Sequence, residues 1–508
     1  MARKTRARQE RAQKTRAQKK RTQQRRDKKR NPATNNERFK KLREWFLADD
    51  GIFSQISLHG NIKWTPVFLV WLAVCWAWAD ARNLTDAFTE ALDYCEKMFG
   101  PAPIKTYQGF MKALVRWTPK LMPILRMILR RCMKQIGGRF WRIGGWVLIG
   151  FDGSRNSAPR SESNEEALCA PNYGKGHTSK HRKKKTKGMR RKRNKKNPPQ
   201  PQEPQAWVTM MWHMGERIPW DWRLGPSNSS ERAHVMEMLQ AQDFPKKTLF
   251  CGDAGFVGYP IWSCILLQKK SDFLIRVGAN VSLLHDQADV RIEKDNKKDG
   301  MLVLCWPKTA IEANQPPLRL RLVKVCLGKT HAWMLTSVLD PEKLSAKAIV
   351  RFYKMRWGIE VEFRGLKQTL DRAKLRSRTH ENIMVELDWS ILAMAVAELF
   401  ALKEQLAQSA AKSPKKPARA DPAKRSLANT MRALRWCLRN LDEVPEPGQD
   451  LTSKLRAAVT DSYVRKKPKR ARYRPKNPDK KPLGDPKIRP LSQEDKQKLD
   501  QIPKVLAA

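Results

Sequence analysis

Between residues 35 and 142, apolar positions recur at helical spacing in four stretches, 46–52, 67–79, 84–99 and 111–136. Breaks fall at Gly100-Pro101 and Gly137-Gly138. Thr65 and Pro66 read as the cap and first turn of the second helix. That stretch is apolar and rich in Trp, but its thirteen residues are too few to span a bilayer, so no membrane role is expected. The pattern predicts an α-helical N-terminal domain over 35–142, with DNA binding as its expected task.

At Trp146 the pattern changes. Residues 146–151 form a short, fully apolar run that ends at Asp152-Gly153, as a central strand meeting a turn would. Strands are predicted at 206–214, 220–224, 248–252 and 273–277, with helices at 230–240 and 260–269 between them. The strand at 248–252 ends at Asp253-Ala-Gly255. This alternation predicts an α/β sheet with carboxylates at strand ends. Residues 301–306 and 318–327 again read as strands, within a β-rich insertion at about 278–332. A strand at 333–339, a long helix at 345–370 and a second at 383–406 follow. Beyond Ala410 a helical segment at 427–441 precedes a basic, Pro-rich end that cannot form continuous helix or an inner strand.

Charge then narrows the partner. The chain has 508 residues and a formal net charge of +52, which points to a polyanion, nucleic acid before others. Most of that charge lies in three runs. Residues 1–30 hold fifteen Lys and Arg against two acids, 180–196 twelve against none, and 465–490 twelve against two. Such runs have too few apolar residues to build a core, so 1–34, 174–204 and much of 406–508 read as a basic arm, a basic loop and a basic disordered tail. They would grip phosphates without reading sequence. The nine scattered cysteines have neither zinc-ligand nor redox spacing, as in a reduced, cytosolic protein. His177 and His181 lack a nearby acid, and no glycine-rich loop carries the Lys of a nucleotide site, so neither zinc nor ATP is expected.

The candidate chemistry concentrates at residues 353–367. Tyr353, Arg356, Glu360, Arg364 and Lys367 are spaced 3, 4, 4 and 3, on one face of a continuous helix. Phe352, Met355, Ile359, Phe363, Leu366 and Leu370 form the adjacent apolar stripe. A ring of cations about one carboxylate suits a metal-binding acid flanked by phosphates. From periodicity alone, the simpler reading is a salt-bridged surface, Arg356 with Glu360 and Glu360 with Arg364. Asp152 and Asp253, each taken singly, could be turn formers before glycine. Glu362 leaves the cationic stripe and faces elsewhere.

Tyr353, Arg356, Glu360 and Lys367 fit the pattern Y-x2-R-x3-E-x6-K, and the chain resembles the DDE transposases of bacterial insertion sequences that are named for it. The segments Ile149-Gly-Phe-Asp152-Gly-Ser and Phe250-Cys-Gly-Asp253-Ala-Gly-Phe resemble the first two acidic motifs of that family. The three acids are 101 and 107 residues apart. The resemblance covers about 145–405. It implies a ribonuclease-H-like catalytic core with a β-rich insertion, and Asp152, Asp253 and Glu360 as catalytic, metal-holding acids. Their hard oxygens suit Mg²⁺ or Mn²⁺, two ions in such a site. The resemblance also implies that Arg356 and Lys367 hold phosphates, that Tyr353 packs against DNA, and that Trp333 stacks on a flipped base; Arg364, on the same cationic face, is expected to bind DNA with them. The expected partners are double-stranded DNA, as transposon ends and target, and a second copy of the chain. The expected place is the cytoplasm, with the nucleoid. Two alternatives remain open: a basic nucleic-acid-binding protein, and a transposase-derived chain that has lost catalysis.

Overall fold

The computed structural model describes residues 33–48, 51–56, 60, 62–168, 203–285, 300–328, 330–411, 420–460 and 483–501. Nearly all of the basic arm, the basic loop with its two histidines, and 286–299 of the insertion lie outside them.

Among the described residues four helices come first: α1 (Asn35–Phe46), α2 (Pro66–Trp78), α3 (Leu84–Phe99) and α4 (Tyr107–Ile136). Their starts are chemical. The side chains of Thr34, Thr65, Asn83 and Thr106 each accept from a backbone N–H of the first turn. The first helix lies upstream of the stretch that apolar spacing marked. A reciprocal Thr34–Glu37 cap fixes its start; it ends at Phe46, where the marked stretch begins, and a short 3-10 turn (Ile52–Gln55) starts where that stretch ends. Among the described residues no helix is long and apolar enough to cross a membrane.

A mixed sheet of ten strands follows: β1 (Val147–Ser157), β2 (Gln205–His213), β3 (Ile218–Pro226), β4 (Thr248–Gly252), β5 (Asp272–Val277), β6 (Ser282–His285), β7 (Met301–Cys305), β8 (Leu318–Leu327), β9 (Thr330–Thr336) and β10 (Lys487–Pro490). Their spatial order is β10-β6-β7-β8-β9-β5-β4-β1-β2-β3. β1, β4 and β5 are parallel, and β2 and β3 continue antiparallel on the other side. The helices between strands are α5 (Glu162–Leu168), α6 (Glu231–Gln240), α7 (Tyr259–Ser263) and α8 (Lys308–Glu312). α9 (Ala346–Arg356), α10 (Gly358–Arg364), α11 (His380–Ala411), α12 (Leu427–Arg439), α13 (Leu451–Ala457) and α14 (Gln493–Gln501) complete the chain.

The apolar α11 ties the N-terminal helices to the sheet in one hydrophobic core. The Trp78 indole donates to the Ala393 carbonyl at 2.8 Å, and that of Trp389 to Thr118 Oγ1 at 2.8 Å.

Two expectations need correction. The helix over 345–370 is not continuous: it turns at Trp357, resumes as α10, and ends in a π turn over Gly365–Thr369. A Cβ at Gly358 would run into the Trp212 ring and lie 2.8 Å from Arg217 Nη2, so the chain passes the sheet face there too closely for a regular side chain. The C-terminal region is also more ordered than its composition implies. Leu451 and Leu455 of α13 are fully buried, and β10 pairs in parallel with β6 at the sheet edge. An edge position leaves room for Pro490, which donates no ladder bond.

Candidate active site

β1 is central and flanked on both sides, and its first five residues are buried. Burial relaxes at Asp152, whose carboxylate therefore emerges at the carboxyl end of the buried run. β4 runs parallel beside it with Gly150 opposite Cys251, and Asp253 follows its last residue. Neighbouring parallel strands thus deliver two acids to one edge of the sheet, where open α/β sheets bind their ligands. Each acid is steadied locally. Asp152 Oδ1 accepts from Gly153 N at 2.9 Å, and Asp253 Oδ1 accepts from Gly255 N at 2.8 Å.

The segment 353–367 supplies the other charges, though not as one exposed stripe. Tyr353 and Arg356 turn inward, 2% and 3% exposed, whereas Glu360 and Arg364 face solvent. Arg356 Nη1 donates to Asp152 Oδ2 at 3.3 Å. Its stem packs against Gly150 of β1, where a Cβ would stand 3.4 Å from Arg356 Cγ. The guanidinium carbon lies 5.5 Å from the centre of the Tyr353 ring and 5.9 Å from that of Trp357. In this conformation Tyr353 and Arg356 offer almost no surface to DNA: the tyrosine is core, and the arginine serves Asp152. The π turn swings Lys367 back towards β1, and its Nζ donates to Ser154 Oγ at 2.8 Å. Burial holds the Lys367 amine below its ordinary pKa.

The electrostatics tie the three acids together. Burial pushes the Asp152 carboxyl above the usual aspartate value; Arg356 and the Gly153 N–H oppose this, and the negative charges of Asp253 and Glu360 add to it. Burial alone would lower Arg356, but Tyr353, Asp152 and Asp253 outweigh it and the guanidinium is held more firmly charged.

Trp333 lies on β9, away from this grouping. Its indole donates to Asp485 Oδ1 at 2.6 Å, and Lys324 Nζ stands 5.2 Å from its ring centre. Glu362, the rival acid, is buried against Glu398, and burial followed by that neighbour pushes it well above the usual glutamate range.

One acid escaped the sequence reading. Glu231 is the first residue of α6, whose cap is Ser230. A Cβ on Gly153 would run into Glu231 Oε1, and one on Gly255 would lie 4.0 Å from Oε2. Its carboxylate therefore sits between the backbones that follow Asp152 and Asp253. Burial first, then Asp152 and Asp253, raise it to about 7. The available signal was weak: an acid at a helix start between two site strands reads as a favourable partner of the helix dipole.

These oxygens fit hard divalent cations in donor type and in their mutual repulsion, which a cation would relieve. They do not form a finished cage. Among the described residues no three His, Cys, Asp or Glu side chains stand close enough to hold one ion. The local bonds explain this, since Arg356 and two backbone N–H groups hold the aspartates.

No curated protein matches the chain. Among solved structures it is similar to a piggyBac transposase synaptic complex with hairpin DNA, at 13% identity and a TM-score of 0.36, over 83% of this chain and 85% of that one. The family model of the transposase DDE domain matches residues 176–396, which contain Asp253 and Glu360 and begin after Asp152. Through that segment the chain resembles transposases of the DDE kind, and the match supports a DDE transposase.

Proposed function

We propose that this chain is a DNA transposase with a ribonuclease-H-like core, and that Asp152, Asp253 and Glu360 are its catalytic acids. One observation carries the reading. Asp253 and Glu360, 101 and 208 residues downstream in sequence, act on the carboxylate of Asp152, and Asp152 and Asp253 lie on and just after adjacent parallel strands. The partial order β3-β2-β1-β4-β5, with β2 antiparallel to β1, supports the ribonuclease-H-like assignment. The match over 176–396 and the net charge of +52 support DNA as the partner.

Asp152, Asp253 and Glu360 would hold the divalent ions, Mg²⁺ or Mn²⁺ and two in number by the resemblance. When bound, such ions neutralise charge on the attacking and departing oxygens of a phosphodiester. In the first reaction, water attacks phosphorus and the bond to the 3′ oxygen breaks, leaving a 3′-hydroxyl on the transposon end. In the second, that hydroxyl attacks a target phosphorus, the target's own bond from phosphorus to its 3′ oxygen breaks, and a target 3′-hydroxyl leaves as the strands are joined. The chain's own groups prepare this. Arg356 sets the Asp152 carboxylate, Lys367 and Ser154 brace the strand beyond it, and exposed Arg364 offers a charge to a phosphate. The fit to Y-x2-R-x3-E-x6-K supports a bacterial insertion-sequence origin and a cytoplasmic place at the nucleoid. Two DNA ends imply a homodimer on DNA, with 35–142 as a DNA-binding part and 145–405 as the catalytic one.

The test is direct. Asp152→Ala, Asp253→Ala and Glu360→Ala are each expected to abolish Mg²⁺-dependent cleavage of an end-bearing duplex while DNA affinity stays near wild type. A variant that cuts as well as wild type removes that residue from the mechanism.

A further inference from the structure

We propose that the exposed face of α9 is a docking surface for the phosphate backbone of double-stranded DNA, gripped by Lys347, Arg351 and Lys354 without reading bases. The choice of partner rests on the proposed function; the surface and its residues go beyond it.

Unpaired cations mean little singly here, since 102 Lys and Arg face 50 acids. Their arrangement carries the argument. α9 turns Ile349, Phe352, Tyr353 and Arg356 into the core and leaves Lys347, Arg351 and Lys354 exposed. Spacings of four and three put the three cations on one side of the helix. They line an open hollow of about 570 Å³, floored by half-buried Val350 and Met355, with no acid on its walls. The cations on either side of them are paired, Lys343 with Asp340 at 3.7 Å and Arg356 with Asp152 at 3.3 Å. Among the described residues Lys347, Arg351 and Lys354 have no ion pair. Helix stability does not ask for this pattern. The first turn of α9 holds no acid and places Lys347 where the helix dipole favours a negative charge. A cation kept there finds its use outside the helix.

Length and position fit the same partner. Lys347 and Lys354 stand about 10 Å apart along the helix axis, a distance over which one strand of a duplex carries about three phosphates. The buried side of α9 packs against β1, β4 and β8, so the cations are held in place before DNA arrives. The face continues to Arg364 past Glu360, the single exposed acid among the described residues 346–364. A backbone lying across the hollow would lead to the carboxylate proposed to act on it.

The test measures binding of the full-length protein to two duplexes of unrelated, arbitrary sequence, in EDTA so that no cleavage intervenes. Lys347→Gln, Arg351→Gln and Lys354→Gln are each expected to lower the slope of log affinity against log salt by about one, and the triple variant by about three, on both duplexes. Exposed Lys246, just before β4 at the opposite edge of the sheet, is the control, and Lys246→Gln should leave the slope unchanged. Thermal melting checks that the variants fold. An unchanged slope in the triple variant, an equal fall in Lys246→Gln, or a loss confined to one duplex overturns the inference. A second readout is local. Acetylation followed by mass spectrometry should find Lys347 and Lys354 protected by DNA and Lys246 still reactive, and unprotected Lys347 and Lys354 overturn the surface. Neither readout involves catalysis, so their failure leaves the proposed function standing. Variants of the three acids that cut like wild type would sink that function and leave the surface to be decided by these measurements.

Discussion

Replacing Arg356 by methionine separates the charge of this side chain from its bulk. Methionine keeps much of the stem packed on Gly150 and Tyr353 and deletes the guanidinium. The side chains of Arg356 and Asp152 are 4% and 21% exposed, so the lost pair is largely buried. Stranding one partner of a buried pair costs about 3–5 kcal/mol. Asp152 keeps the Gly153 N–H, some solvent and the option of taking a proton, which reduces the expected loss to about 2–3 kcal/mol. The loss depends on pH, with a definite sign. Burial already places the Asp152 carboxyl above its ordinary value, and removing Arg356 raises it further. An acid raised in the fold keeps its proton where the unfolded chain has lost its own. The penalty is therefore absent below the ordinary aspartate pKa, grows as pH rises, and is complete above the folded value. Urea unfolding in EDTA at pH about 5 and about 8 reads it, and the deficit is expected to be clearly larger at the higher pH. Saturating Mg²⁺ at the higher pH should recover more stability in the variant than in wild type, because the cation supplies the missing positive charge. A deficit equal at both pH values would mean lost packing, and the electrostatic account would be wrong.

Arg364 is exposed, so Arg364→Ala should lower the slope of log affinity for DNA against log salt by about one; buried Arg356→Met should leave the slope unchanged, and the reverse result would exchange their roles. Gly358→Ala forces a methyl against Trp212 and should cost about 1–3 kcal/mol in urea unfolding; an unchanged midpoint would show that Trp212 moves aside freely. Glu231, raised to about 7, is strained when ionised. Glu231→Gln should therefore stabilise the metal-free protein at pH about 8 by about 1–2 kcal/mol, discounted for its partial exposure, and change little at pH about 5. Destabilisation at the higher pH would show that the carboxylate is satisfied where it stands.

The parts legible in the sequence were those that local chemistry dictates. A parallel strand buried on both faces must be apolar throughout, so 147–151 and 248–252 announced themselves; Asp253 marked the end of β4, whereas β1 does not turn at Asp152-Gly153 as expected but runs on to Ser157, paired with β2. The Thr65 cap and Pro66 lie beside the helix they start. The segment 353–367 was legible in residue type and misread in geometry. Periodicity assumes 3.6 residues per turn throughout, whereas the approach to Trp212 at Gly358 and the π turn after Arg364 rotate its side chains apart. Tyr353 and Arg356 thus went to the interior and Glu360 to the surface. β10 was hidden because its partner, β6, lies some two hundred residues upstream, while its own Lys and Pro read as tail. Glu231 was hidden for the same reason. Its placement depends on where α6 crosses β1 and the end of β4, and Ser230 already gives a local account of the helix start.

How this fold treats its other acids bears on why these are grouped. Acids are scarce here, 50 against 102 Lys and Arg, so a buried carboxylate readily finds a cation. Asp221 pairs with Arg126 at 3.3 Å and Arg223 at 2.9 Å. Glu386 pairs with Arg372 at 3.5 Å and accepts from the backbone of Arg376 and Ser377. Glu216 and Glu362 take the other route: burial drives their carboxyls well above the usual glutamate range. Asp152, Asp253, Glu360 and Glu231 follow neither course fully. Among the described residues Arg356 makes the one direct ion pair with the four, to Asp152, while Arg155 and Arg232 act on Glu231 from farther off. A chain so rich in arginine had every means to neutralise them with side chains. Leaving three of the four without a direct ion pair makes physical sense when the positive charge comes from outside the polypeptide, and a small divalent ion is the form that can sit among several carboxylates at once.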